Sequence, residues 1–184
     1  MQHPFLGLDT AAFRRRYVPL LVATLAFAGF MGWVDARAKT EATPFGIVSF
    51  QVAREPLHAQ WILETWSRGI GTNSWVAFGL GLDYLFMVLY STLLSLSCVA
   101  VAERLSSSPA ARTMGIGLAW ASWLAAAFDA VENFAHFRML VREPVERWIG
   151  VSFVCASAKW ALLGASIAYA AVGFAASRFV KRPA

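Results

Sequence analysis

Four apolar runs, at about residues 17–35, 75–102, 113–137 and 148–177, dominate the chain. A hydrocarbon core about 30 Å thick is crossed by roughly 20 apolar residues in a helix. Inside that core no water is present to satisfy backbone N–H and C=O groups, so only helices and closed barrels span it. Four runs of this length therefore predict four membrane-spanning helices. Composition agrees: 58% of the 184 residues are hydrophobic and 15% are charged, whereas a soluble domain is roughly 45–50% apolar and about 25% charged. The connections after the second and third runs are short, "SSSPAAR" and "VREPVERW", which makes successive helices antiparallel. The expected fold is all-α, a membrane-embedded antiparallel four-helix bundle forming a single transmembrane domain over residues 1–184.

The longest connection, residues 36–74, carries its own signals. In "EPLHAQWILETWSRG" Pro56 suits a first helical position and Gly69 a stop, while Leu57, Trp61 and Ile62 recur at helical spacing. A helix over about 56–68 is expected, lying in the outer membrane interface or capping the bundle. "PFGIVSFQVA" alternates poorly and reads as a short strand or a surface-lying segment. Trp33 and Trp75 mark the outer interface, where indoles favour the headgroup level. Residues 1–13 read as a short, mildly amphipathic lead into the first span. Cys98 and Cys155 fall late in the second span and early in the fourth, too far apart for a disulfide.

The net charge of +5 does not point to nucleic acid, because the basic residues flank apolar runs and form no polar face. Arg14, Arg15, Arg16, Arg104, Arg112, Arg178, Lys181 and Arg182 fall on one side of a four-span topology. Arg37, Lys39, Arg54, Arg68, Arg138, Arg142 and Arg147 fall on the other, much of that count coming from the long loop. By the positive-inside rule both termini are expected in the cytoplasm, in a multi-pass protein of the cell inner membrane. The three arginines, the apolar run and Ala36-Arg37-Ala38 imitate a signal peptide. The run from Tyr17 to Val34 exceeds the usual apolar region of about 7–15 residues, so the first span is expected to be retained.

Against this background "FDAVENFAHF" is anomalous. On a helix Asp129, Glu132, Asn133 and His136 fall at i, i+3, i+4 and i+7, one stripe that Ser122 extends. The second run has a single charge, Asp83, with Tyr90 and Ser97 at successive sevens. The fourth also has one, Lys159, in line with Ser152, Cys155 and Ser166. Counted from Trp75, Arg138 and Trp148, residues Asp83, Asp129 and Lys159 lie roughly 12–17 Å along their helices from the outer ends. Because the spans alternate in direction, one layer is expected. A charge at the bilayer centre costs at least about 2.5–3.5 kcal/mol, so these groups should face inward together, with Lys159 compensating one carboxylate. Three carboxylates against one ammonium imply that one acid is protonated or that His136 is charged. His136, next to the span end, reads singly as a solvated or capping histidine.

A metal is not expected. Bundle di-metal sites repeat Glu-x-x-His, whereas here Asp-x-x-Glu and Glu-x-x-x-His occur once. No phosphate loop, nucleophile elbow or Cys-x-x-Cys is present, and nothing asks for a cofactor.

Through "GLDYLF", "FDAVENF" and "IVSFQVAREPLHAQWILETW", roughly residues 45–137, the chain resembles small, uncharacterised bacterial four-span membrane proteins. That resemblance implies the four-helix layout and no chemistry. In layout alone the chain is similar to the EXPERA (emopamil-binding-protein-like) sterol isomerases and ligand-binding proteins; their motif residues have no match here.

Three functions fit. The first is binding of a hydrophobic or lipid-like, cationic small molecule in an acidic pocket of Asp83, Asp129, Glu132 and Asn133, with Lys159 and His136 at its edge and Tyr84, Tyr90, Trp120 and Trp160 as aromatic walls. The second is a membrane enzyme of proton-transfer, isomerase-like type, with Asp129, Glu132 and Lys159 as the catalytic candidates. The third is an accessory subunit whose polar layer is structural and whose outer helix meets a membrane-protein partner. All three place membrane lipid around the spans.

Overall fold

A computed structural model describes residues 2–176. Arg178, Lys181 and Arg182, used above for topology, and the expected span end at 177 lie outside the described residues. Six α-helices and one 3₁₀ turn follow in order: α1 (Thr10–Asp35), the turn (Ala36–Ala38), α2 (Ile47–Gln51), α3 (Pro56–Arg68), α4 (Thr72–Arg104), α5 (Pro109–Leu140) and α6 (Val145–Ala176). No strand occurs among the described residues. Helices α1, α4, α5 and α6 are long and apolar enough to cross a membrane, which makes the chain a multi-pass membrane protein.

Local chemistry sets the helix ends. Asp9 caps α1, its Oδ1 accepting from the N–H of Ala12 at 2.7 Å. Ser108 does the same for α5 ahead of Pro109, whose missing N–H costs nothing at a first helical position. Helix α5 stops where Arg142 adopts φ 71° and the N–H groups of Arg142 and Glu143 bond back to Met139 and Arg138. This is the double backbone bond of a Schellman stop.

The chain forms two compact units, and each long helix gives one segment to each. Among the described residues the first unit contains 2–24, 89–126 and 159–176. Its core gathers Cys98, Val99, Val101, Ala119 and Tyr169, against which Phe5 and Leu6 of the N-terminal segment pack. That segment is tied down polar group by polar group. The Leu6 N–H bonds to His3 O, the Phe5 N–H to His3 Nδ1 and the Gly7 N–H to Glu103 Oε1, while Trp120 Nε1 donates to Gln2 O. His3 Nε2 lies 3.1 Å from Ser95 Oγ, and its ring meets the Trp120 ring edge-on at 4.8 Å. Non-helical backbone is tolerated among membrane helices only when the protein satisfies it in this way.

The second unit contains Leu25–Val88 and Ala127–Ala158. Its core is built largely by the long loop: Ala38, Ala42, Phe50, Ala59, Ile62 and Trp66 pack with Leu80, Met139 and Ile149. Trp66 is fully buried; at about 25 cal/mol per Å², burying an indole of roughly 200 Å² stabilises by about 5 kcal/mol. Its Nε1 donates to Ala38 O at 2.8 Å and to Thr43 Oγ1 at 3.2 Å, so the polar handle is satisfied as well. Helix α3 buries Ala59, Ile62 and Trp66 and leaves Leu57 and Trp61 outside. The "PFGIVSFQVA" stretch, expected as a short strand or a surface-lying segment, forms α2 in its middle, with Ser49, Phe50 and Gln51 buried. The Ile47 N–H is held by Asp35 Oδ1 at 2.7 Å and the Phe45 N–H by Ser49 Oγ. Gly46 enters α2 at φ 61°, and the Asp35 carboxylate occupies the place where a Cβ would stand.

Two measurements follow. Gly46→Ala forces a side chain into a left-handed position against Asp35, so it should lower unfolding stability in detergent by about 1–2 kcal/mol or more; an unchanged melting temperature would contradict the turn. His3 accepts the Phe5 N–H on Nδ1 and is therefore neutral when docked, and its burial lowers its proton affinity below the usual histidine value. The bound value being the lower one, docking holds fully above about pH 6.5 and weakens as pH falls from there toward that bound value. A spin label at a Gln2→Cys site should become mobile on acidification, and His3→Gln should remove that pH dependence.

Candidate functional site

The four residues Asp129, Glu132, Asn133 and His136 of the α5 stripe lie in the second unit. Asp129, Glu132, Asn133 and His136 are between 0% and 3% exposed. The solvated or capping role expected for His136 is corrected: the imidazole is completely buried, because the long loop folds over it. The Phe50 ring from α2 stacks on the imidazole at 4.6 Å, and Trp66 braces Phe50 edge-on at 5.3 Å.

Around this stripe the neighbouring helices supply partners. Asn133 Nδ2 donates to Asp83 Oδ2 of α4 at 2.8 Å. Tyr84, next in the chain and 44% exposed, reaches the Ala130 carbonyl at 3.2 Å. His136 Nε2 lies 2.7 Å from Ser152 Oγ of α6, and His136 Nδ1 lies 3.9 Å from Glu132 Oε1 one turn earlier on α5. Ser152 is itself fully buried. The arrangement thus aligns a carboxylate, an imidazole and a hydroxyl, beside a carboxylate and an amide.

Some acceptors in this unit are left unanswered. Asn133 Oδ1 and Gln51 Oε1 are buried and have no hydrogen bond among the described residues. Gln51 follows Phe50 in α2 and is 5% exposed. Asn73 Oδ1, at the start of α4, is likewise without a hydrogen bond. Asn73 is also among the residues lining a cleft of about 290 Å³, with Gln60, Glu64, Ser67 and Glu143. Arg138 and Trp148 hydrogen-bond the Glu143 carboxylate and hold it below the usual carboxylate range. Among the described residues no group of three or more His, Cys, Asp or Glu side chains is placed to hold a metal ion.

The other anticipated residues belong to the first unit. Lys159 is 3% exposed, with its ammonium 5.2 Å from the centre of the Trp160 ring. Tyr90 is buried, whereas Trp160 and Trp120 are about half exposed. Trp120 is engaged with the N-terminal segment through His3 and Gln2. Ser122 and Ser166 bond each other at 3.3 Å. Cys98 of this unit and Cys155 of the second unit are buried and form no disulfide.

Sequence reasoning missed Phe50 and Gln51, and it noted Ser152 only as a member of a stripe. The available signal was the apolar "GIVSF" inside a loop whose neighbours are polar. No protein-family model, curated protein or solved structure matches the chain.

An unanswered buried carbonyl is costly, and replacing it by an apolar group of similar shape removes the cost. Gln51→Leu should therefore raise the unfolding stability of the ligand-free protein by about 1–3 kcal/mol. A melting curve shifted downward instead would mean that the amide is answered after all.

Proposed function

We propose that the chain is an integral membrane protein that binds a hydrophobic small molecule through a head group that donates hydrogen bonds, an amine or a hydroxyl. The single observation that carries this reading is Asn133. Its amide nitrogen is spent on Asp83, while its buried carbonyl oxygen awaits a donor. Gln51 Oε1 is an acceptor in the same condition, and Asp83, Asp129 and Glu132 add acceptor-only carboxylates when ionised. An acceptor-rich, desolvated edge favours a donor, and most strongly a cationic one. The hydrophobic body of the molecule follows from the surroundings, since the site is carried by membrane-spanning helices. Both termini are placed on the cytoplasmic side of an inner membrane in this reading.

A second reading, an enzyme acting on the bound molecule by proton transfer, is favoured by one further observation. His136 bonds a hydroxyl on one nitrogen and faces a carboxylate with the other, which is how a general base is oriented.

Long-chain probes of one length and different head groups separate these ideas. Dodecylamine or dodecanol should bind the protein in lipid nanodiscs, as read by native mass spectrometry, and dodecanoate should not. Asn133→Leu should weaken amine binding about tenfold or more, the equivalent of losing one hydrogen bond to a charged donor. Equal binding of all three probes, or none, would defeat the proposal.

A further inference from the structure

Hydroxyls in these membrane helices have a default use. Thr24, Ser97, Ser122 and Ser157 each donate to the carbonyl four residues earlier, at 2.7–3.0 Å. This satisfies the group inside its own helix. Ser152 departs from that pattern: its hydroxyl crosses from α6 to α5 and meets His136 Nε2 at 2.7 Å, with both residues fully buried. Either nitrogen of a neutral imidazole can carry the proton, and the partners decide which. Glu132 Oε1 lies 3.9 Å from Nδ1 on the far side of the ring, both side chains wholly sequestered, so an N–H is favoured there. Nε2 is then the acceptor and the Ser152 hydroxyl the donor. A nucleophile, a base and a group that orients the base stand in sequence.

From this alignment we infer that Ser152 is an acyl-accepting nucleophile, His136 its general base and Glu132 the positioning residue, and that the substrate class is a lipid-soluble ester. Ser152 Oγ adds to the ester carbonyl carbon while its proton passes to His136 Nε2. The carbon–oxygen bond to the alcohol then breaks, and Nε2 returns the proton to the departing alkoxide, leaving an acyl-serine and a free alcohol. Water completes the cycle. It gives a proton to Nε2 as its oxygen adds to the acyl carbon, the bond to Oγ breaks, and Ser152 regains its proton as the carboxylic acid leaves. No oxidant, reductant or metal enters.

Phe50 has a defined part in this scheme. It lies flat on the imidazole and belongs to the loop, not to a spanning helix, so displacing it uncovers the base without disturbing α5 or α6. Sequence spacing alone would not have separated Ser152 from the other membrane serines. Ser95 also meets an imidazole, that of His3, but only Ser152 is described with one whose other nitrogen faces a carboxylate.

The inference rests on the binding proposal in one respect, that a hydrophobic molecule reaches this part of the second unit. It does not require the retained donor head group. The test is covalent capture: the full chain in lipid nanodiscs is treated with an alkyl fluorophosphonate, and the adduct is located by peptide mass spectrometry. Ser152 should be modified, Ser152→Ala should abolish the adduct, and His136→Gln should slow it about 100-fold, within the range of general-base contributions. Glu132→Gln should shift the pH profile of labelling, which a merely structural role would not do. Phe50→Ala should accelerate labelling by exposing the base. Absence of a Ser152 adduct in both the parent and a folded Phe50→Ala protein would overturn the inference, as would labelling confined to the exposed Ser157. Amine binding that persists in Ser152→Ala would show that the binding proposal stands when this one falls.

Discussion

The constraint on which this fold depends is the lack of water around its polar side chains. A hydroxyl, amide or imidazole at membrane depth costs several kcal/mol unless another protein group answers it. A hydroxyl can turn back on its own helix, but the amide and imidazole here take partners from neighbouring helices, as Asp83 on α4 answers Asn133 and Ser152 on α6 answers His136. Such bonds are geometrically demanding. One residue of slippage turns a helix by about 100°, carrying the stripe from its partners toward lipid. Apolar packing between membrane helices is less discriminating, because lipid tails are as apolar as leucine. In the second unit the polar stripe therefore fixes the facing of α4, α5 and α6, while the loop seals it through Phe50 and Trp66.

Which groups are answered and which are not is informative. Trp66 Nε1 has two acceptors and Asn133 Nδ2 has a carboxylate. Among the described residues, buried amide oxygens without a hydrogen bond occur on Gln51, Asn73 and Asn133. An orphan carbonyl is the more tolerable fault, since orphaned buried N–H groups are rarer in proteins than under-satisfied oxygens. A site left empty at least cost, yet ready for a specific guest, would leave acceptors open in this way. The same reasoning argues against a guest rich in carboxylate or phosphate, which would bring acceptors to acceptors.

Much of this was legible in the residues. Length and apolar content alone give four spans, and the i, i+3, i+4, i+7 pattern of Asp129, Glu132, Asn133 and His136 gives a single buried face. Counting residues from the interfacial tryptophans puts Asp83 at a depth where α5 can meet it. Periodicity fails where tertiary covering decides. His136 sits two residues from Arg138, which in a bare bundle would mean the aqueous boundary, but residues 36–71 fold over it. A five-residue helix such as α2 is too short to show a 3.6-residue period, so it reads as a strand or a surface segment. The N-terminal segment appears featureless because what holds it, Ser95, Glu103 and Trp120, lies some ninety to one hundred and twenty residues away. Lys159 falls in the first unit, with its ammonium against the Trp160 ring, a contact between chain neighbours that periodicity does not show.

The two proposals made for the second unit meet on one helix face. Asn133 and His136 are three residues apart on α5, an axial rise of about 4.5 Å. A molecule anchored by a donor at Asn133 Oδ1 would present the atoms two or three bonds further along to His136 and Ser152. That spacing suits an ester carbonyl close to an amine or hydroxyl head group, the arrangement found when a polar head is joined to an acyl chain. Anchoring and chemistry would then be consecutive uses of one stripe. The carboxylate of Glu132, just ahead of Asn133 in sequence and one turn before His136, would orient the imidazole. The polar residues of α5 would in this case be ordered by function along the helix, head-group recognition first and proton transfer one turn later.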